Sequence, residues 1–92
     1  MQNTSKLTCP CCGYKTLATD YYGSFIICDV CFWEDDESQM LNPTSIGGAN
    51  KTSLIDSQKN FIAFGACELE MKQYVREPYP DEVKDENWKP LF

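Results

Sequence analysis

The sequence predicts a small α+β domain in which a β-hairpin bearing two cysteine knuckles packs against a C-terminal helical segment. Three observations lead there. Cys9-x-x-Cys12 and Cys28-x-x-Cys31 lie 15 residues apart, the spacing at which two tight turns bring four sulfurs to one point. The segments Lys15 to Thr19 and Phe25 to Cys28 are short and β-prone, with Asp20 to Ser24 as the turn between them. From Ser53 onward the apolar spacing becomes helical.

In chain order, residues 1–37 form the ribbon. Pro10 stiffens the first knuckle, and Gly13 relieves the backbone where it curls. Residues 38–52 are polar, carry Asn42-Pro43 and Gly47-Gly48, and are expected to loop back over the ribbon. Residues 53–76 are the helical segment. Ser53 with Asp56 three residues on resembles a capping box, and Leu54, Ile55, Phe61 and Ile62 share a face for about three turns. Gly65 ends or kinks that helix; Leu69, Met71, Tyr74 and Val75 continue the pattern until Pro78 and Pro80 stop it. Residues 77–92 are an acidic tail in which Trp88, Leu91 and Phe92 can dock.

The totals suit one domain over residues 1–92. A chain this short buries a limited share of its surface and gains from a staple. Hydrophobic residues at 42% are enough to build a core. No apolar run reaches membrane-spanning length, and the polar start MQNTSK lacks the apolar stretch of a secretory signal, so a cytoplasmic setting is expected.

In that compartment six cysteines read as metal ligands, the alternatives being disulfides or free buried thiols. Four soft sulfurs in a chain without histidine suit zinc, with iron in a rubredoxin-like site as the competitor. Four thiolates close the coordination sphere, whereas catalytic zinc keeps a position open, so the metal's expected job is structural. The ribbon is therefore zinc-ribbon-like. Cys11 lies between ligands and is either a packed or exposed knuckle residue or a reactive thiol; Cys67 is a small core residue or a reactive thiol. Phe32 and Trp33 are expected to cover the ion, the alternative being a binding platform.

The net charge of -6 opposes a phosphate backbone, so direct nucleic-acid binding is not expected. The acidity is local. Glu34, Asp35, Asp36 and Glu37 are consecutive, and residues 77–92 hold five acids against Lys84 and Lys89. These acids are either a solvated face, a divalent-cation site, or a surface for a basic protein partner formed by Glu34, Asp35, Asp36, Glu37, Asp81, Glu82, Asp85 and Glu86. No nucleophile motif or phosphate-cradling glycine loop appears, which argues against an enzyme.

Cys9-Pro10-Cys11-Cys12-Gly13-Tyr14 and Ile27-Cys28-Asp29-Val30-Cys31-Phe32-Trp33-Glu34-Asp35-Asp36 resemble the CPCC family of small cysteine-rich bacterial proteins. The likeness continues through Gly47-Gly48-Ala49-Asn50, Ser53-Leu54 and Phe64-Gly65-Ala66-Cys67, covering roughly residues 8 to 80. Asp29 stands where the family pattern often has proline, which alters knuckle stiffness and not metal binding. The resemblance implies a bacterial cytosolic protein with a zinc-ribbon-like N-terminal half, ligands at Cys9, Cys12, Cys28 and Cys31, and a packing role for Cys67. It implies no particular activity.

The expected function is thus a non-catalytic zinc protein acting as a protein-interaction module, in its sharpest form an immunity-type inhibitor of a basic toxin. Electron transfer by iron and thiol redox sensing at Cys11 or Cys67 are the alternatives.

Overall fold

A knuckle is a chain reversal, and in the computed structural model, which describes residues 6–92, each reversal organises the backbone on both sides of it. Around the first, β1 (Leu7–Thr8) pairs antiparallel with β2 (Lys15–Leu17), in the register Leu7 with Leu17 and Thr8 with Lys15 and an irregularity between them. Around the second, residues 25–28 return against residues 33–35. Phe25 N–H donates to Asp35 C=O at 2.9 Å, Cys28 N–H to Trp33 C=O at 2.8 Å, and Asp35 N–H to Ile26 C=O at 2.9 Å. An isolated bridge joins Ile27 to Glu34.

This corrects the expected hairpin. Lys15 to Thr19 does not pair with Phe25 to Cys28; each segment instead pairs across its own knuckle. The four-residue C-x-x-C loop is itself the tight turn, so the nearest partner is on its far side and no longer closure is needed. The polar start read as lacking a secretory signal lies outside the described residues except for Lys6.

The stretch expected to be loop over 38–52 opens with α1 (Glu37–Leu41). Asp36 is its N-cap, accepting from Gln39 N–H, so an acid that reads as part of a charge run is a helix start. Buried Gln39 then gathers the loop beyond this helix. Its amide donates toward the carbonyls of Ser45, Asn50 and Thr52, while its Oε1 accepts from Asn50 N–H and Nδ2. Asn50 in turn pairs with the Glu34 backbone, accepting from its N–H and donating to its C=O, both at 2.8 Å. A Cβ on Gly48 would lie 2.5 Å from Asp36 Oδ2 and 2.8 Å from Gln39 Cγ, which is why the loop narrows to glycine there.

The main helix starts and stops where read, but its buried residues are Leu54, Ser57 and Gln58, while Ile62 of the expected apolar face is exposed. Ser53 caps α2 (Leu54–Phe64) by accepting from Asp56 N–H, and Gly65 ends it in the left-handed conformation at φ 86°, its N–H donating to Phe61 C=O. Beyond it the apolar pattern continues as a 3-10 helix, Leu69–Tyr74. Leu54, Ala66 and Cys67 enter the core beside the cysteines, Leu17, Val30 and Trp33.

The tail folds back over the first knuckle. Lys15 N–H donates to Val83 C=O and Asp85 N–H to Gly13 C=O, flanking an isolated antiparallel bridge between Tyr14 and Lys84. Trp88 donates from Nε1 to Pro10 C=O at 2.9 Å, and Leu91 N–H bonds Gln58 Oε1.

Candidate metal centre

Each knuckle uses one hydrogen-bond scheme. The first cysteine donates its N–H to the aromatic residue five positions on, and the residue four positions on donates back. Cys9 to Tyr14 and Gly13 to Cys9 measure 2.9 and 2.8 Å; Cys28 to Trp33 and Phe32 to Cys28 measure 2.8 and 2.7 Å. Closing the loop requires positive φ at that fourth position, 81° at Gly13 and 72° at Phe32.

Two such loops facing each other bring the four predicted ligands together. The sulfurs of Cys9, Cys12, Cys28 and Cys31 all lie within 4.8 Å of one another, and the four residues are fully buried. The closest approaches cross between the knuckles: 3.6 Å from Cys9 to Cys31 and 3.8 Å from Cys12 to Cys28. Sulfurs at ~2.3 Å from a tetrahedral ion are ~3.8 Å apart, so both spacings fit a metal ion at the centre. None of the six cysteines is in a disulfide.

The electrostatics point the same way. Burial pushes the Cys9 and Cys31 thiols well above their ordinary value. Cys28 moves down, because hydrogen bonds from Cys12, then Cys31 and Cys9, with a further one from Thr16, converge on its sulfur and favour its thiolate. Four buried thiolates this close together require a cation to compensate their charge.

The two remaining cysteines flank this cluster and are buried. Cys11 is completely covered, so the exposed reading fails, and burial raises its thiol. Cys67 donates its N–H to Cys31 C=O at 2.8 Å, tying the end of the helical segment to the second knuckle, and burial pushes its thiol up to about 12. Trp33 lies in the core; Phe32 is half-buried and stacks on Tyr74 with ring centroids 5.2 Å apart.

The eight carboxylates expected to form one partner surface do not do so. Asp35, Asp36 and Glu82 are buried. Asp35 Oδ2 accepts from Gly23 N–H, Ser24 N–H and Ser24 Oγ–H, clamping the loop before the second knuckle. Asp36 caps α1 and also accepts from Ser38 Oγ–H and Ala49 N–H; these bonds, the Ser38 one first, lower its carboxyl. Glu82 takes a bidentate contact from Arg76 at 2.7 and 3.1 Å and a second cation from Lys6 at 3.1 Å, and Arg76 holds its carboxyl at about 2. Asp85 is half-buried and accepts from Thr8 Oγ1–H. Glu34 is half-buried, leaving Glu37, Asp81 and Glu86 as the exposed acids of that set.

Residues that serve the site without ligating it were not evident from the sequence. Gln58 Nε2 and Trp88 Nε1 both donate to Pro10 C=O, holding the first knuckle from outside. Thr16 Oγ1 lies 2.9 Å from Cys28 Sγ. Their one signal is residue type: polar side chains in apolar surroundings need partners.

These features define a small α+β protein built around a buried four-cysteine cluster able to hold a metal ion. The family model described as Cysteine-rich CPCC matches residues 7–82, and the chain belongs to that family. No curated protein matches the chain significantly. No helix among the described residues is long and apolar enough to cross a membrane.

Proposed function

We propose that the chain is a non-catalytic, zinc-ribbon-like protein in which one zinc ion at Cys9, Cys12, Cys28 and Cys31 holds the fold and the surrounding surface binds a protein partner. The observation carrying the zinc assignment is the donor set: four buried sulfurs, with cross-knuckle spacings of 3.6 and 3.8 Å, closed to a fifth ligand. Zinc, with no preferred geometry of its own and high affinity for thiolate, suits such a cage. Iron uses the same four sulfurs, and the two are separated by colour and redox activity.

Four thiolate ligands fill a tetrahedral sphere and leave no open position on the ion for water or substrate. The functional role therefore rests on the surface. Net charge of -6 favours a basic partner through faster encounter, the use to which an immunity-type inhibitor of a cationic toxin puts its charge. The residues available for it are the exposed Glu37, Asp81 and Glu86, since Asp35, Asp36 and Glu82 are occupied in the fold.

Elemental mass spectrometry of protein purified without added metal tests the first part. One zinc per chain, with four thiols released by a chelator, is expected; a red protein carrying iron replaces zinc with an electron carrier, and no metal removes the reading. Reversing Glu37, Asp81 and Glu86 to lysine tests the second. Slower capture of a basic partner with unchanged melting is expected, and unchanged association overturns the acidic-surface role.

A further inference from the structure

We propose that Thr16 is a hydrogen-bond donor to the Cys28 ligand, a positioning residue through which the first knuckle holds a sulfur of the second. This role rests on the proposed metal site at the four cysteines. Thr16 sits in the middle of β2, four residues after Cys12, and Cys28 opens the other knuckle. Their Oγ1 and Sγ atoms are 2.9 Å apart and both residues are buried. A metal-bound thiolate carries no proton, so once the ion is present the bond has one direction, from the hydroxyl to the sulfur.

Two features single this contact out. Among the described residues, Thr16 is the one whose side-chain hydroxyl or amide hydrogen-bonds a ligand sulfur. Among the described residues the Thr16 hydroxyl has no other hydrogen-bond partner, so without the sulfur it would be left as a buried orphan. A donor at that point draws charge from the Cys28 sulfur. It also fixes the side-chain rotamer that aims the sulfur at the ion. Outer-shell donors of this kind change metal affinity by ~10–100-fold when removed.

Thr16→Val keeps the β-branched shape and deletes the hydroxyl, whereas Thr16→Ser keeps the hydroxyl and deletes the methyl group. Cobalt(II) replaces the native ion as an optical probe, and zinc capture by a chromogenic chelator gives the rate of loss. Thr16→Val is expected to move the sulfur-to-cobalt charge-transfer band to lower energy and to speed zinc capture by about tenfold. Thr16→Ser is expected to keep the wild-type band and rate. If the valine variant does not load metal, the serine variant decides. Wild-type behaviour in it supports the donor role, and a shifted band with faster capture overturns it. Wild-type, valine and serine proteins that load alike and share one band and one rate overturn the Thr16 role and leave the metal reading standing. A wild-type chain that takes up neither cobalt nor zinc removes both.

Discussion

The two knuckles have one backbone geometry and two ways of being covered. In the first, the left-handed position is Gly13, and a Cβ there would lie 2.6 Å from the Trp88 ring, because the C-terminal tail lies directly on it. In the second the same position is Phe32, whose left-handed φ of 72° strains a bulky residue by ~1–2 kcal/mol. Its ring stacks on Tyr74 from the 3-10 helix. The four-sulfur cluster has positive φ at both places; the covering element decides which side chain is tolerated. One knuckle is closed by removing a side chain, the other by adding one.

The comparison breaks most severely at the ligands. Cys12→Ser and Cys31→Ser each take one sulfur from a different knuckle, and a shared ion predicts equal loss of metal and of cooperative unfolding in both. If the ion is the proposed structural zinc, it contributes roughly 10–16 kcal/mol of apparent folding energy, and neither variant is expected to fold as wild type does. Cys67→Ser is expected to retain one metal per chain. Elemental analysis with thermal melts reads all three, and metal retained by one ligand variant alone would show that the knuckles are not equivalent.

Gly13→Ala comes next, at about 3 kcal/mol of destabilisation from the clash with Trp88 and the left-handed backbone. In a Trp88→Ala background the ring clash is absent, the flexible Lys84 side chain at 2.9 Å can move aside, and the remaining penalty should fall to about 1 kcal/mol. Denaturant melts of the four proteins form the cycle, and an unchanged penalty would mean that the tail does not cover this knuckle.

The tail's own anchor is third in size. Arg76 and Lys6 hold Glu82 in its ionised form, moving its carboxyl from 4.5 to about 2. A depressed carboxyl contributes stability that is complete above its unfolded value and is lost as pH falls from 4.5 toward 2. Glu82→Gln should cost about 2 kcal/mol at neutral pH, allowing for the partly exposed arginine. The difference from wild type should shrink at pH 3, where metal loss affects both proteins alike; a constant difference in urea melts would contradict the ion pair's role.

The smallest effect belongs to Phe32→Gly, which relieves backbone strain and loses the stack on Tyr74. The two offset, leaving a change within about 1 kcal/mol. Phe32→Ala keeps the strain and loses the stack, so it should be the less stable of the pair.

Much of the site was legible because its signals are local. The ligands follow from C-x-x-C spacing, the start of α2 from Ser53 with Asp56, and its end from Gly65, each within a few residues of the structure it produces. The family resemblance over residues 8 to 80 agrees with the match over 7–82. The strand partners were misread because strands of two and three residues carry no dependable alternation. The acids were misread because Asp35, Asp36 and Glu82 are chemically indistinguishable in sequence from the exposed Glu37, Asp81 and Glu86.

By itself, then, the sequence determined which four sulfurs can meet, where the main helix begins and ends, and that the chain is acidic. Tertiary structure alone decided that each knuckle closes its own hairpin, that Asp35, Asp36 and Glu82 are buried hydrogen-bond centres, and that Trp88 covers Gly13. The physical reason is range. Turn and cap chemistry is settled within about five residues, whereas whether a carboxylate is buried depends on donors that arrive from elsewhere in the chain, as Ala49 N–H does for Asp36 and Arg76 for Glu82.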